Sequence, residues 1–211
     1  FFKQKTAYEI KECDWSSDVC SSDLFGKFLE IGADYGVDHL YPALEKGWTG
    51  VYCEPDPKSC YNLMLCTEQF ADRVTVINSA VSTESGLTNF YLCTNATGTS
   101  SLRPEWHILN KEAVPNPVIR TIVTNTISIE KLFDHIGYDM DIVSIDAEGS
   151  DMMLLENIPW GRLNKCRLIM VESGGETEPA HIVQMLSSYG YSKLQYSTNT
   201  GNSFYTRIPQ N

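Results

Sequence analysis

The 211-residue sequence lacks the long apolar run and the Lys/Arg cluster that mark two large functional classes. No hydrophobic stretch approaches the roughly 18 residues that a membrane-spanning helix needs, so we expect no membrane partner. The formal net charge at pH 7 is −11. Because nucleic-acid binders carry a surplus of Lys and Arg, we also expect no nucleic-acid partner.

Cysteine is present but without the spacing that would give it a function. The seven cysteines form no CxxC pair and no other metal-ligand spacing, which favours reduced thiols in a cytoplasmic protein over a disulfide framework or a zinc site. Internal repeats and a second domain are also absent, and this length fits one domain. The sequence says nothing about oligomeric state.

Residues 1–24 show neither helical nor strand periodicity. Lys3 to Ile10 and Asp14 to Leu24 back-translate, in frame and in order, into the two constant strings of a short-read sequencing adapter. We therefore interpret residues 1–24 as translated adapter and exclude them from the fold. The native part is then one domain, residues 25–211, truncated at its N-terminus. The alternative is a genuine disordered tail.

From Phe25 onward, short apolar runs alternate with helical patterns. This alternation predicts an α/β fold with parallel strands and right-handed crossovers. A terminal antiparallel hairpin is expected near 191–208, and 94–117 is expected to be a long loop. The expected core strands are 28–31, 50–53, 73–81, 141–146 and 167–172, and the expected helices are 37–47, 56–70, 129–136 and 179–189.

A glycine-containing turn follows the first strand, in the segment Glu30-Ile-Gly32-Ala-Asp34-Tyr-Gly36. The first glycine lets the backbone approach a ligand closely, and the second permits a tight turn into a helix. The pattern is not the GxGxxG fingerprint of dinucleotide enzymes. A carboxylate at Glu30 faces the crevice and suits a cationic group, such as the amino group of a methionine moiety.

Glu54 ends the second strand, eighteen residues after Gly36. An acid at this place can accept hydrogen bonds from both hydroxyls of a ribose. Enzymes that use NAD and enzymes that use S-adenosylmethionine (SAM) share this device. Together with the incomplete glycine fingerprint, it favours an adenosine cofactor without a pyrophosphate.

Acidic residues also follow the fourth and fifth strands: Asp146-Ala-Glu148-Gly149 and Glu172. In an open α/β sheet these strand ends line one crevice. The three carboxylates could act as a general base, as substrate ligands or as ligands of a divalent metal. The alternative is structural: Asp146 caps the next helix and Glu172 is solvated.

Five segments resemble, in order, the FkbM-type methyltransferases, a branch of the class I SAM-dependent enzymes. The resemblance spans Phe25 to about Ile208. It implies a Rossmann-like class I methyltransferase fold, with a mostly parallel seven-stranded sheet, a C-terminal antiparallel hairpin and helices on both faces. The segments are FLEIGADYG, VYCEPDPKSCYNLM, VINSAVSTESGLTNFYL, TISIEKLF and DIVSIDAEGSDMMLLENI.

The resemblance also implies a role for each matching residue. The turn after the first strand would wrap the methionine part of SAM, the Glu-Pro-x-Pro element would hold the ribose, and Asp146 would lie by the reactive methyl. Family members more often have Asp at position 30, Asn at 34 and Lys at 144, where this chain has Ser. The implied cofactor residues are Glu30, Gly32, Ala33, Asp34, Gly36, Glu54, Pro55, Asp146 and, near the adenine, Ser79, Ala80 and Val81.

The expected reaction is direct methyl transfer from SAM to an oxygen of a sugar or other small-metabolite acceptor, with Asp146, Glu148 and Glu172 as catalytic candidates. No metal ligand is fixed by the sequence, although Asp146 and Glu172 could flank Mg²⁺. Two alternatives stay open. One is an NAD(P)-linked oxidoreductase, which the missing third glycine disfavours. The other is a SAM-binding domain without activity.

Overall fold

The computed structural model describes residues 25–35, 40–109, 114–172, 179–194 and 202–207. The segment 1–24, interpreted above as translated adapter, lies outside these ranges, so that interpretation and the domain bounds stay predictions. Gly36 also lies outside them. Within the described ranges, no helix is long and apolar enough to cross a membrane.

Ten strands and six α-helices make up the described part of the chain. Short 3₁₀ turns at Glu68–Phe70 and Trp160–Arg162 follow α2 and α5. In chain order the elements are β1 (Lys27–Ile31), α1 (Tyr41–Glu45), β2 (Thr49–Cys53), α2 (Pro57–Cys66), β3 (Val74–Ile77), β4 (Ala80–Ser82), β5 (Gly86–Cys93), α3 (Trp106–Leu109), β6 (Ile119–Ser128), α4 (Ile129–Ile136), β7 (Ile142–Ile145), α5 (Asp151–Asn157), β8 (Leu168–Glu172), α6 (Ala180–Ser188), β9 (Tyr191–Lys193) and β10 (Asn202–Arg207).

The main sheet has seven strands in the order β3-β2-β1-β7-β8-β10-β9. The pairs β3–β2, β2–β1, β1–β7 and β7–β8 are parallel, whereas β10 is antiparallel to both of its neighbours. This confirms the predicted Rossmann-like sheet with its C-terminal antiparallel hairpin. The strand order reverses between β1 and β7, which opens a crevice at their carboxyl ends.

Helices cover both faces of this sheet, as predicted. Because side chains alternate along a strand, neighbouring residues of β1 enter different cores. Leu29 packs with Val143 against α4, α5 and α6. Phe28 packs with Tyr52 on the opposite face, against α1 and α2. The two cores hold the strand ends in fixed positions relative to one another.

Two elements that the sequence pattern predicts to be continuous are interrupted in the structure. The expected strand 73–81 is split into β3 and β4, because Asn78 turns away from the sheet and donates to the Glu54 carbonyl at 2.8 Å. Strand β4 then pairs with β6 in a separate three-stranded sheet, β4-β6-β5. The expected helix 56–70 begins as predicted, with Asp56 accepting from the Lys58 amide, but α2 ends at Cys66.

The burial of two leucines predicts a large difference in how much their substitution by Ala destabilises the protein. Leu132 of α4 is fully buried, whereas Leu87 of β5 is 74% exposed. Leu132→Ala should lower the free energy of unfolding by about 2–5 kcal/mol, since it leaves a cavity in the core. Leu87→Ala should change it by less than about 0.5 kcal/mol. Urea unfolding of both variants checks this, and equal effects would contradict the assignment of the core.

Candidate functional site

A pocket lies at the carboxyl ends of β1, β2 and β7, where the strand order reverses. Most of the predicted site residues form its wall, although Glu172 stands beside it. Side chains from β5 and the segment after it close the opposite wall. The predicted residues on the wall are Glu30, Gly32, Ala33, Asp34, Glu54, Pro55, Ser79, Ala80, Val81, Asp146 and Glu148.

Gly32 sits where β1 and β7 come closest. Its φ of +79° is one that residues with a Cβ rarely adopt. A Cβ built on Gly32 would lie 1.7 Å from the Asp146 carbonyl oxygen, and the Asp146 amide donates to the Ile31 carbonyl at 2.9 Å. Only glycine allows the two strand ends to meet in this way.

Glu54 joins the ends of β1 and β2. Its carboxylate is buried and accepts the Asp34 amide at 2.8 Å and the Asp56 amide at 2.7 Å. Burial raises the pKa of Glu54 to about 8, although both amide bonds act in the opposite direction. Each carboxylate oxygen can accept a second hydrogen bond. The group therefore retains acceptor capacity for two ligand hydroxyls, as a ribose requires.

Asp34 has a φ of +46°, a conformation that Asp and Asn adopt more readily than other side chains. This explains how Asp can stand where the family more often has Asn. The Asp34 carboxylate also accepts the Ser59 hydroxyl at 2.6 Å. Contact with Ser59 fixes the β1 turn against the first turn of α2.

The turn from Asp146 to Gly149 is closed by a residue that sequence reasoning missed. The Asp151 carboxylate accepts the Ala147 amide at 2.6 Å and the Gly149 amide at 3.0 Å. The alternative in which Asp146 caps the next helix is therefore wrong: Ser150 is the N-cap of α5, and it makes no side-chain cap bond. The sequence does contain a signal for this contact: Asp151 comes two residues after Gly149, and Asp side chains often accept hydrogen bonds from nearby backbone amides.

Three carboxyl groups meet beside this turn. One oxygen each from Asp146, Glu148 and Glu172 lies within 4.8 Å of the others, so the predicted catalytic candidates are brought together. These oxygens are also of the type that Mg²⁺ prefers. Burial, and then the Glu172 charge, raises the pKa of Asp146 well above its ordinary value. Burial raises the pKa of Glu148 to about 8, with Glu172 adding to the effect.

The carboxyl groups of Asp146 and Glu172 are hydrogen-bonded to each other. Burial also raises the pKa of Glu172, while the bond from Asp146 lowers it. The second oxygen of Glu172, Oε2, is buried and accepts no hydrogen bond from the described residues.

The pocket wall also contains residues that the sequence did not single out. Phe90 comes from β5, and Gly98, Ser100 and Leu102 come from the segment that follows it. Their spacing carries no motif, because they approach the pocket from the second sheet. The fold is needed to place them.

A comparison with protein-family models identifies the family of the chain. The model described as the methyltransferase FkbM domain matches residues 30–193. The chain belongs to the FkbM methyltransferase family. Its cofactor is SAM, as the sequence predicts, and the NAD(P)-linked alternative is set aside. A comparison with curated proteins found no match.

Solved methyltransferase structures share the fold at low identity. The N-terminal domain of human METTL16 in complex with S-adenosylhomocysteine (SAH) is 12% identical, with a TM-score of 0.49, over 99% of this chain and 73% of that one. PH1948 from Pyrococcus horikoshii, described as "a putative RNA methyltransferase", is 11% identical, with a TM-score of 0.43, over 96% and 83%.

These structures correct one prediction from composition. The expectation that nucleic acid is no partner is wrong as an exclusion, because the structures that resemble this chain include one described as an RNA methyltransferase. Net charge describes the whole surface and does not report on the chemistry of one pocket. The cytoplasmic location and the roles of individual site residues stay predictions.

Gly32→Ala should abolish SAH binding, because the added Cβ collides with backbone that cannot move aside as a flexible side chain can. Gly86→Ala is the matched control, since a Cβ there meets nothing within 4 Å. Titration calorimetry with SAH measures both variants, and circular dichroism checks that each is folded. Wild-type affinity in Gly32→Ala would contradict the close approach of β1 and β7.

The raised pKa of Glu148 predicts a pH dependence of stability. Below pH 4.5 the group is protonated in both folded and unfolded chains, and its contribution is fully present. As pH rises toward about 8, the unfolded chain releases the proton first, so stability is lost. Between pH 5 and pH 9 the free energy of unfolding should therefore fall further in wild type than in Glu148→Gln, by about 1 kcal/mol or more. Urea unfolding across this range checks it, and parallel curves would contradict it.

Proposed function

We propose that the protein transfers the methyl group of SAM to a hydroxyl oxygen of a sugar or other small-metabolite acceptor. The observation that carries this proposal is the cluster of Asp146, Glu148 and Glu172 at the pocket, with one oxygen of each within 4.8 Å of the others. A hydroxyl is a weak nucleophile and needs a base. We assign this role to Glu172, whose Oε2 accepts no hydrogen bond from the described residues.

The pocket wall supports an assignment of residues to the parts of the cofactor. We assign the methionine part to the turn formed by Glu30, Gly32 and Ala33, and the ribose to Glu54. Ser79, Ala80 and Val81 are assigned to the adenine. Glu30, Gly32 and Ala33 line the pocket, and the two oxygens of Glu54 match a diol.

Positioning accounts for most of the expected acceleration. When bound, SAM supplies a sulfonium methyl group, and its C–S bond breaks as the acceptor oxygen forms the new C–O bond. Glu172 takes the acceptor proton at Oε2. Asp146 holds Glu172 in place through their hydrogen bond. A base with a raised pKa suits this task, because proton transfer is most effective near the working pH.

The test uses the full chain and SAM with an isotopically labelled methyl group. The acceptor panel contains monosaccharides, hydroxylated small metabolites and RNA oligonucleotides, and mass spectrometry locates the label. We expect label on an oxygen of a small molecule. Glu172→Gln should lower kcat by about 100-fold or more, since general bases contribute this much, while SAH affinity changes less than about threefold.

Glu84→Gln is the matched control, because Glu84 is an exposed acid outside the pocket. It should leave kcat unchanged. Label on nitrogen, on carbon or on the RNA would overturn the proposed acceptor. Binding of SAM without transfer to any member of the panel would instead support a SAM-binding domain without activity.

A further inference from the structure

The segment 98–107, which belongs to neither sheet as a full strand, contributes to the wall of the pocket. Gly98, Ser100 and Leu102 line the pocket from this side. The sequence predicts only a long loop here. The structure shows it attached to β5 and to the turn that carries Glu148.

The first attachment is to the edge of β5. Tyr91 and Ser101 exchange two backbone hydrogen bonds of 2.9 and 3.1 Å. The Cys93 amide donates to the Ser100 hydroxyl at 3.0 Å. These bonds extend the second sheet by a single bridge and fix the backbone between the pocket-lining positions.

The second attachment is to the turn that carries Glu148. The Ser101 hydroxyl donates to the Glu148 carbonyl at 2.7 Å, and the Arg103 guanidinium donates to the Gly149 carbonyl at 2.8 Å. The indole N–H of Trp106 donates to Glu148 Oε2 at 2.6 Å. Backbone and side chain of the same acidic residue are thus both held by this segment.

The ring of Trp106 also covers Gly149, where an added Cβ would lie 2.5 Å from a ring carbon. Next to it, the buried His107 forms a 2.7 Å hydrogen bond between Nε2 and the Thr99 carbonyl. Two adjacent residues of α3 therefore join the Glu148 turn to the backbone beside Gly98.

We propose that Trp106 is a positioning residue for the cofactor: through its hydrogen bond to Glu148, it holds the segment 98–107 as a fixed wall of the SAM pocket. Glu148 then acts as the anchor of this wall, and the proton of the reaction is handled by Glu172. The proposal rests on the placement of SAM in this pocket given under Proposed function.

The energetic reason is the burial of the Glu148 carboxyl group. A buried polar group without a partner costs free energy whether it is charged or neutral. The indole N–H supplies that partner. It is the single hydrogen-bond donor of the Trp106 side chain. Without this hydrogen bond, the Glu148 carboxyl group is better solvated when it moves toward water. The segment 98–107, which is attached to it, then moves as well.

Two readouts that need no acceptor test this: amide hydrogen exchange across 98–107, and the dissociation rate of SAH measured by stopped flow. Trp106→Phe keeps an aromatic ring but removes the donor. It should speed exchange at the Ser101 amide and raise the SAH dissociation rate by about tenfold. Glu148→Ala should do the same, and the double variant should add little to either.

Glu148→Gln separates the hydrogen bond from the charge, because its amide oxygen still accepts the indole N–H. It should keep slow exchange and slow SAH release. Trp48→Phe is the aromatic control, since Trp48 packs in the core of the opposite face. Arg103→Ala removes only the bond to the Gly149 carbonyl and should have a smaller effect in the same direction.

The proposal is overturned if Trp106→Phe stays folded and shows wild-type exchange and SAH release, or if Glu148→Gln behaves like Glu148→Ala. Glu54→Ala tests the placement of SAM separately, because it should abolish SAH binding without speeding exchange at 98–107. Failure to find an oxygen acceptor affects neither readout, so the two proposals can fail independently.

Discussion

The contact between Gly32 and the backbone of Asp146 is the constraint on which the site depends. Parallel strands cannot place their carboxyl ends this close unless one of them carries no side chain at the point of contact. Once they do, the β1 turn, the Asp146 turn and the acid at the end of β8 face one space. Every other element of the pocket is arranged around this junction.

Buried acids are the second common feature of the site. Glu54, Asp146, Glu148 and Asp151 all have raised pKa values, chiefly because of burial. Each is stabilised differently: Glu54 and Asp151 by backbone amides, Glu148 by an indole, and Asp146 by a second carboxyl group. The cluster as a whole suits a cofactor that carries a positive sulfonium charge.

The sequence predicted the parts of the fold that depend on local periodicity, and it failed where tertiary contacts intervene. Strands β1, β2, β7 and β8 follow from short apolar runs, and the acids at their ends follow from the rule that such ends share a crevice. The split of the strand at 73–81 depends on Asn78 reaching the Glu54 carbonyl, which no pattern reports. Trp106 was missed because only the fold brings it to Glu148, 42 residues away. Asp151 was missed although its partners are amides two and four residues before it.

In the segment 98–107, the residues that hold the Glu148 turn differ from the residues that line the pocket. Ser101 and Arg103 hold the Glu148 turn, while the intervening positions 100 and 102, together with 98, face the pocket. Ser100 also accepts the Cys93 amide, and Gly98 has a φ of +71° that disfavours a side chain. Leu102 is therefore the position at which a substitution could reshape the pocket and leave these attachments and the carboxyl cluster untouched.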